Sequence, residues 1–392
     1  MKKQHLYEVD LMRACIILGV IFVHVFSAFD AQTPAFSRTN ISLDLLTMAF
    51  HFTREAFMFI TGLVLFYTYY DRTFTVWSFW RKRLSLIAVP YIAWTALYIL
   101  FTGTYLNHFN WAWQSLAHRF GHALLTANQF FLYFLLVSMQ LYVLFPLIVK
   151  MVRKLERHLW WLVSVSFALE IGIMVLNQTV LNHLDVSRLP TWLFILVHYR
   201  DRFILTYQFW FVAGAALSVK YNQVKNWVSS RPGVVGVAAV LGILVLWATY
   251  FVERFGLHMT DGEAVDVLQP IMIPYALIVA TLLWSIGLKW TRVMAEPGLR
   301  RVTPVIRFFG GVSFGIFLLH PIALHYLEQI DNRLHLHGAA HLVLIPFTAV
   351  LAYVLSGFAA YLIGKIPFVS YIVGTKTRLR RSSARAPLSK AV

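Results

Sequence analysis

Apolar residues run through this chain in blocks of about twenty, the length that matches a bilayer's hydrocarbon core. Ten blocks predict ten spans: about 11–29, 48–70, 84–102, 129–149, 159–177, 203–219, 233–252, 270–288, 305–327 and 341–364. The first has no small-residue cleavage site behind it and contains Arg13, so it reads as a span and not a removable leader. The segment 103–128, with Trp111, Trp113 and Phe120, reads as a helix lying at the interface. The expected fold is an all-α integral membrane protein of ten transmembrane helices.

Composition sharpens this. Of 392 residues, 59% are hydrophobic and 13% charged, and the mean hydropathy is +0.66. Soluble domains are nearer 45–50% apolar and about 25% charged, which excludes soluble repeats and disorder. The single cysteine, Cys15, excludes an internal disulfide or a cysteine metal cluster. The net charge of +17 would suggest nucleic acid in a soluble protein. Here its placement decides otherwise. Segments 1–10, 71–83, 150–158, 220–232, 289–307 and 365–392 hold 25 of the 34 Lys+Arg, the alternate segments hold 8, and Arg13 is intramembrane. Both termini are therefore expected in the cytoplasm. The division is a membrane domain over 1–370 and a basic tail over 371–392, whose KTRLRRSSARAPLSK (376–390) suits anionic lipid.

Ionisable residues inside spans are costly and carry function by default. The first span has Asp10 at its mouth, Arg13 just inside and His24 toward the outer end. Arg13 and His24 are roughly 20° apart around a helix and about 16 Å apart along it, so both share one face. Asp10 precedes Arg13 by three residues, within ion-pair reach. Alone, Arg13 reads as a snorkelling anchor and His24 as an interhelical hydrogen bond; the shared face favours function. Glu55 in the second span and His320 in the ninth fall at His24's expected depth. A histidine beside a carboxylate is apparatus for deprotonating a hydroxyl, although an interfacial pair of Arg54 with Glu55 explains that residue equally well. On the cytoplasmic side Arg13, Arg81 and Arg83 form a candidate phosphate cluster, joined less strongly by Lys82 and Arg307, which topology alone explains. Glu170 stands alone in the fifth span. His118 and His122, at i,i+4, lack a third ligand, so no metal is expected.

EVDLMRACIILGVIFVHV (8–25) resembles the opening of acyltransferase family 3, the polytopic membrane O-acyltransferases, whose signature is an arginine, ten residues and a histidine. FMFITGLVLF (57–66) is similar to the family's second-span motif, with Thr61 where serine is usual. FWRKRLSLIAVPY (79–91) resembles its Arg-x-Arg…Pro-Tyr segment, FFLYFLLVSMQLYVLFPLI (130–148) its aromatic fourth span, and SFGIFLLHP (313–321) its late His-Pro motif. The layout also resembles the exopolysaccharide O-succinyltransferase-like subgroup.

The resemblance implies an acyl donor, expected to be acyl-CoA, approaching from the cytoplasm. Asp10, Arg13, Arg81 and Arg83 would serve donor binding. His24 would be general base or transient acyl carrier, with Glu55 and His320 assisting. The acceptor would be a hydroxyl of an extracytoplasmic or lipid-linked glycan at a bacterial cytoplasmic membrane. The partners expected are acyl-CoA, glycan and lipid, with no bound cofactor and no nucleic acid. The rival expectation is a transporter or flippase of a glycan or glycolipid, which ten spans and intramembrane charges also suit.

Overall fold

A computed structural model describes residues 4–334, 339–375 and 377. It is an all-α integral membrane protein, with no strand among the described residues. The helices are α1 (Tyr7–Asp30), α2 (Arg38–Phe50), α3 (Phe52–Tyr69), α4 (Val76–Tyr105), α5 (Trp113–Thr126), α6 (Tyr133–Lys154), α7 (Leu159–Thr179) and α8 (Thr191–His198). The second half adds α9 (Gln208–Val219), α10 (Tyr221–Ser229), α11 (Pro232–Phe251), α12 (Asp261–Ala264), α13 (Met272–Val293), α14 (Val302–Leu334) and α15 (Ala339–Lys365). His335 and His337 and most of the basic tail lie outside the described residues.

Nine helical units among the described residues are long and apolar enough to cross a membrane. Two expected spans differ in detail. The second begins earlier, at Arg38, and consists of α2 and α3 joined at His51. Ser37 caps its start by accepting from the Asn40 amide at 3.1 Å. The sixth is shorter: a 3₁₀ turn, Ile204–Tyr207, followed by the 12-residue α9. The expected interfacial segment contains α5.

Lipid-facing and protein-facing helices separate cleanly. On α11, Val234, Val237, Leu241, Leu244 and Val245 are exposed with no polar relief, as a hydrocarbon surface requires. By contrast α1 is central, packed by α2, α3, α13, α14 and α15. Small residues allow these backbones to meet, since lipid supplies no hydrophobic drive for helix association. A Cβ on Gly62 would lie 2.6 Å from the Phe211 carbonyl, and one on Gly214 would lie 2.2 Å from that of Phe59, so α3 and α9 cross at paired glycines. A Cβ on Gly310 would lie 2.3 Å from the Asp10 carbonyl, which pins α14 against the start of α1.

Three apolar clusters build the interior. Phe57 packs against the first two, Phe134 against the first and third, and Phe317 against the last two. The point where they converge holds the polar site described next.

The basic-residue asymmetry makes a separate prediction. A reporter enzyme fused after Val392 should be active only on the cytoplasmic side. Activity on the far side would overturn the even count of spans.

Candidate active site

The α1 stripe faces the α6 segment. Tyr142 on α6 is an electrostatic neighbour of Arg13, and Phe131, just before α6, stacks on His24 with ring centroids 3.7 Å apart. Residue 131 lies eleven positions before 142, as His24 lies eleven after Arg13, so the two segments run antiparallel in register. Their backbones have little direct contact, and side chains bridge the space between them.

At the His24 end three rings lie nearly parallel. His320 is 5.4 Å from both His24 and Phe131, at interplanar angles of 18° and 13°. His320 is fully buried on α14. Its Nδ1 donates to the Phe317 carbonyl at 2.7 Å. The next residue explains this bond. Pro321 has no amide hydrogen, so the carbonyl four residues back, that of Phe317, lacks its helical donor. The imidazole takes that place. A carbonyl can only accept, so the proton sits on Nδ1 and the Nε2 lone pair is left available. Among the described residues Nε2 is buried without a hydrogen-bond partner. The His-Pro pair thus fixes a tautomer as well as a helix geometry.

This arrangement makes a prediction. Pro321→Ala restores the Phe317 donor and frees His320, so acyl transfer should fall by about tenfold or more. The unfolding temperature should hold or rise, because interior proline costs about 3 kcal/mol in a helix. Undiminished transfer by Pro321→Ala would show that His320's orientation is irrelevant.

A cavity of about 320 Å³ opens beside His24, lined also by His51, Arg54, Tyr133, Asp201 and Arg202. Phe57, Phe134 and Phe317, the residues that join the three clusters, supply its apolar wall. Arg202 lies 3.6 Å from Asp201, stacks over Tyr199 and donates to the Thr126 carbonyl, while its buried Nε makes no hydrogen bond among the described residues. Arg54 stacks over Tyr207 at 5.2 Å and bonds Glu55 at 3.2 Å.

Glu55 does not join His24. It is buried against Arg54 and does not itself line the cavity. A further electrostatic neighbour is Glu170, which accepts from Gln208 Nε2 at 3.1 Å where α9 begins. The two carboxylates thus flank Arg54 from α3 and α7, because Glu55 follows Arg54 directly and projects to a different side of the helix. The expectation of a His24–Glu55 couple is corrected accordingly: the rings nearest His24 are Phe131 and His320.

On the Arg13 side, Arg83 is the second cation near that residue. Its Nε donates to the Tyr69 hydroxyl at 3.3 Å, and its guanidinium lies over the Tyr69 ring. Tyr142 between them is held by the same device as His320. Pro146 leaves the Tyr142 carbonyl without a helical donor, and the Trp80 indole bonds that carbonyl at 3.1 Å. Asp10 pairs with His5 at 2.7 Å and not, as expected, with Arg13, though it remains near enough to act on that charge. Arg81 is exposed and stands apart, as does Arg307, which stacks over Tyr7. Among the described residues no group of three or more His, Cys, Asp or Glu is placed to hold a metal.

Sequence reasoning missed His51, Asp201, Arg202, Tyr133 and Phe131. One signal existed: Arg200-Asp201-Arg202 is a charged triplet bounded by apolar residues. His51 and Phe131 carry no such mark.

A polytopic α-helical protein with paired basic and imidazole sites on one central helix is the frame these residues define. The family model described as an acyltransferase domain, that of acyltransferase family 3, matches residues 6–364. The chain belongs to that family and is a membrane acyltransferase. No curated protein and no solved structure matches it significantly.

Proposed function

We propose that the protein moves an acyl group from a cytoplasmic donor, acyl-CoA, to a hydroxyl of an extracytoplasmic or lipid-linked glycan at a bacterial cytoplasmic membrane. The observation that carries this reading is the register between α1 and α6. Arg13 and Arg83 are neighbours of Tyr142 at one end of this pairing, and the His24 and His320 rings with their cavity are at the other.

Arg13 and Arg83 would hold the donor's phosphates, because guanidinium forks bind phosphate oxygens bidentately. Arg81, exposed and apart from that pair, would meet the outer part of the nucleotide, and Asp10 would hold the local charge balance. The pantetheine arm would extend between α1 and α6 toward His24. There the acceptor hydroxyl gives its proton to an imidazole, its oxygen attacks the thioester carbonyl, and the C–S bond breaks to release the CoA thiolate. Arg54 and Arg202 bring N–H donors to the same cavity, where a developing oxyanion would need them. Glu55 supports this indirectly by holding Arg54. His320 would orient or relay the proton of His24. A membrane acyltransferase with this layout has no need of the matched broken helices that a flippase would use.

Mass analysis of surface glycans from otherwise identical cells with and without the protein tests the reading. A mass increment of one acyl group per modified sugar, present only with the protein, supports it and identifies the group. Identical glycans in both would contradict it.

A further inference from the structure

A second cavity, of about 410 Å³, lies under the interfacial helix α5. It sits within the size range of small-ligand sites. Its polar lining includes Ser115, His118, Arg119, His122, Asn128 and Gln129. These residues supply hydroxyl, imidazole, guanidinium and amide groups, both donors and acceptors. Phe109 also lines the cavity, with its ring face covered by the Arg119 guanidinium at 5.0 Å and its other contact with Trp111 at 4.8 Å. Among the described residues no carboxylate lines it.

This cavity and the one beside His24 share a wall. The short strap between α5 and α6 gives Asn128 and Gln129 to the outer cavity and Phe130 and Phe131 to the inner one. Phe131 is the ring stacked on His24. Phe130 sits at φ 44°, a left-handed conformation uncommon for a bulky residue and typical of functional constraint. Arg202 of the inner cavity donates to the carbonyl of Thr126, the last residue of α5, which ties the two sites together.

We infer that the outer cavity is an acceptor subsite that holds a neutral sugar ring of the glycan acylated at His24. This rests on the acyl-transfer reading above. A lining of mixed donors and acceptors suits a pyranose, which presents hydroxyls of both kinds around its edge. One guanidinium without a carboxylate repels an amine-bearing sugar and accepts a neutral one. The strap then sets the distance from the held ring to the His24 imidazole.

The test is equilibrium binding of a neutral N-acetylglucosamine pentasaccharide to the full-length protein in lipid nanodiscs. Its fully de-N-acetylated, cationic form serves as the charge control. Saturable binding of the neutral probe is expected, with the cationic form weaker by about tenfold or more. The Arg119→Ala/His122→Ala double variant should lose about tenfold in affinity for the neutral probe, at unchanged unfolding temperature and unchanged acyl-CoA binding. Because α5 is exposed, Arg119→Glu offers a second route that leaves the fold alone: it should narrow or reverse the preference against the cationic form. No saturable binding by the parent, equal affinity in the double variant, or no change in charge preference with Arg119→Glu would each overturn the subsite. Acylation that survives His24→Ala would instead overturn the catalytic reading and leave the binding result standing.

Discussion

Alanine at position 24 should abolish glycan acylation while the protein still folds and inserts. General base catalysis is typically worth about 10²–10⁴ in rate, and loss of a transient acyl carrier would cost at least as much. The side chain is half-buried and borders a cavity, so truncation enlarges a space that already exists and does not hollow the core. The lost stacking against Phe131 is a modest contribution beside the burial of α1 among five helices. Membrane levels and unfolding temperature should therefore stay close to those of the parent. Glycan mass analysis reads the result. A His24→Ala protein at normal level that acylates within a few-fold of the parent would remove the central residue of the proposed chemistry.

The second large effect is expected from a conservative change. Arg13→Lys keeps the charge and loses the planar fork. Arg13 sits beside Arg83, and Asp10, the nearest acid, is already bonded to His5. Two cations near one another in a membrane protein, with Asp10 as the acid acting on Arg13, favour the arrival of a further anion. An anchor that merely snorkels would work as well with an ammonium. A phosphate clamp would not, because the ammonium offers a point charge in place of two parallel hydrogen bonds. The KM for acyl-CoA should rise by about tenfold or more, with kcat changed less. An unchanged KM in Arg13→Lys would return this residue to the role of anchor.

The helices were legible because the hydrophobic blocks alone encode them. Where the structure departs from those blocks, the cause is tertiary. His51 joins α2 to α3 without any glycine or proline to announce the junction. α9 is too short by itself for a span and owes its place to the close Gly62–Gly214 crossing, which no hydropathy window registers. The Arg13–His24 face followed from helix geometry, and its α6 counterpart did not, since interhelical register is absent from a single helix's sequence. Glu55 was expected beside His24 and instead pairs with Arg54, because a side chain's direction depends on which helices surround it. The roles of Pro321 and Pro146 were also hidden. Each leaves a carbonyl free four residues back, and only the folded chain reveals that His320 and Trp80 occupy them.

Reconstitution with controlled sidedness addresses the central claim most directly. Full-length protein is oriented in liposomes with labelled acyl-CoA confined to the side of the Arg13–Arg83 end and a glycan acceptor to the side of the His24 cavity. Label should pass to the acceptor across an intact, impermeable bilayer, at a rate lost in His24→Ala. Transfer that occurs only when donor and acceptor share one side would contradict the account.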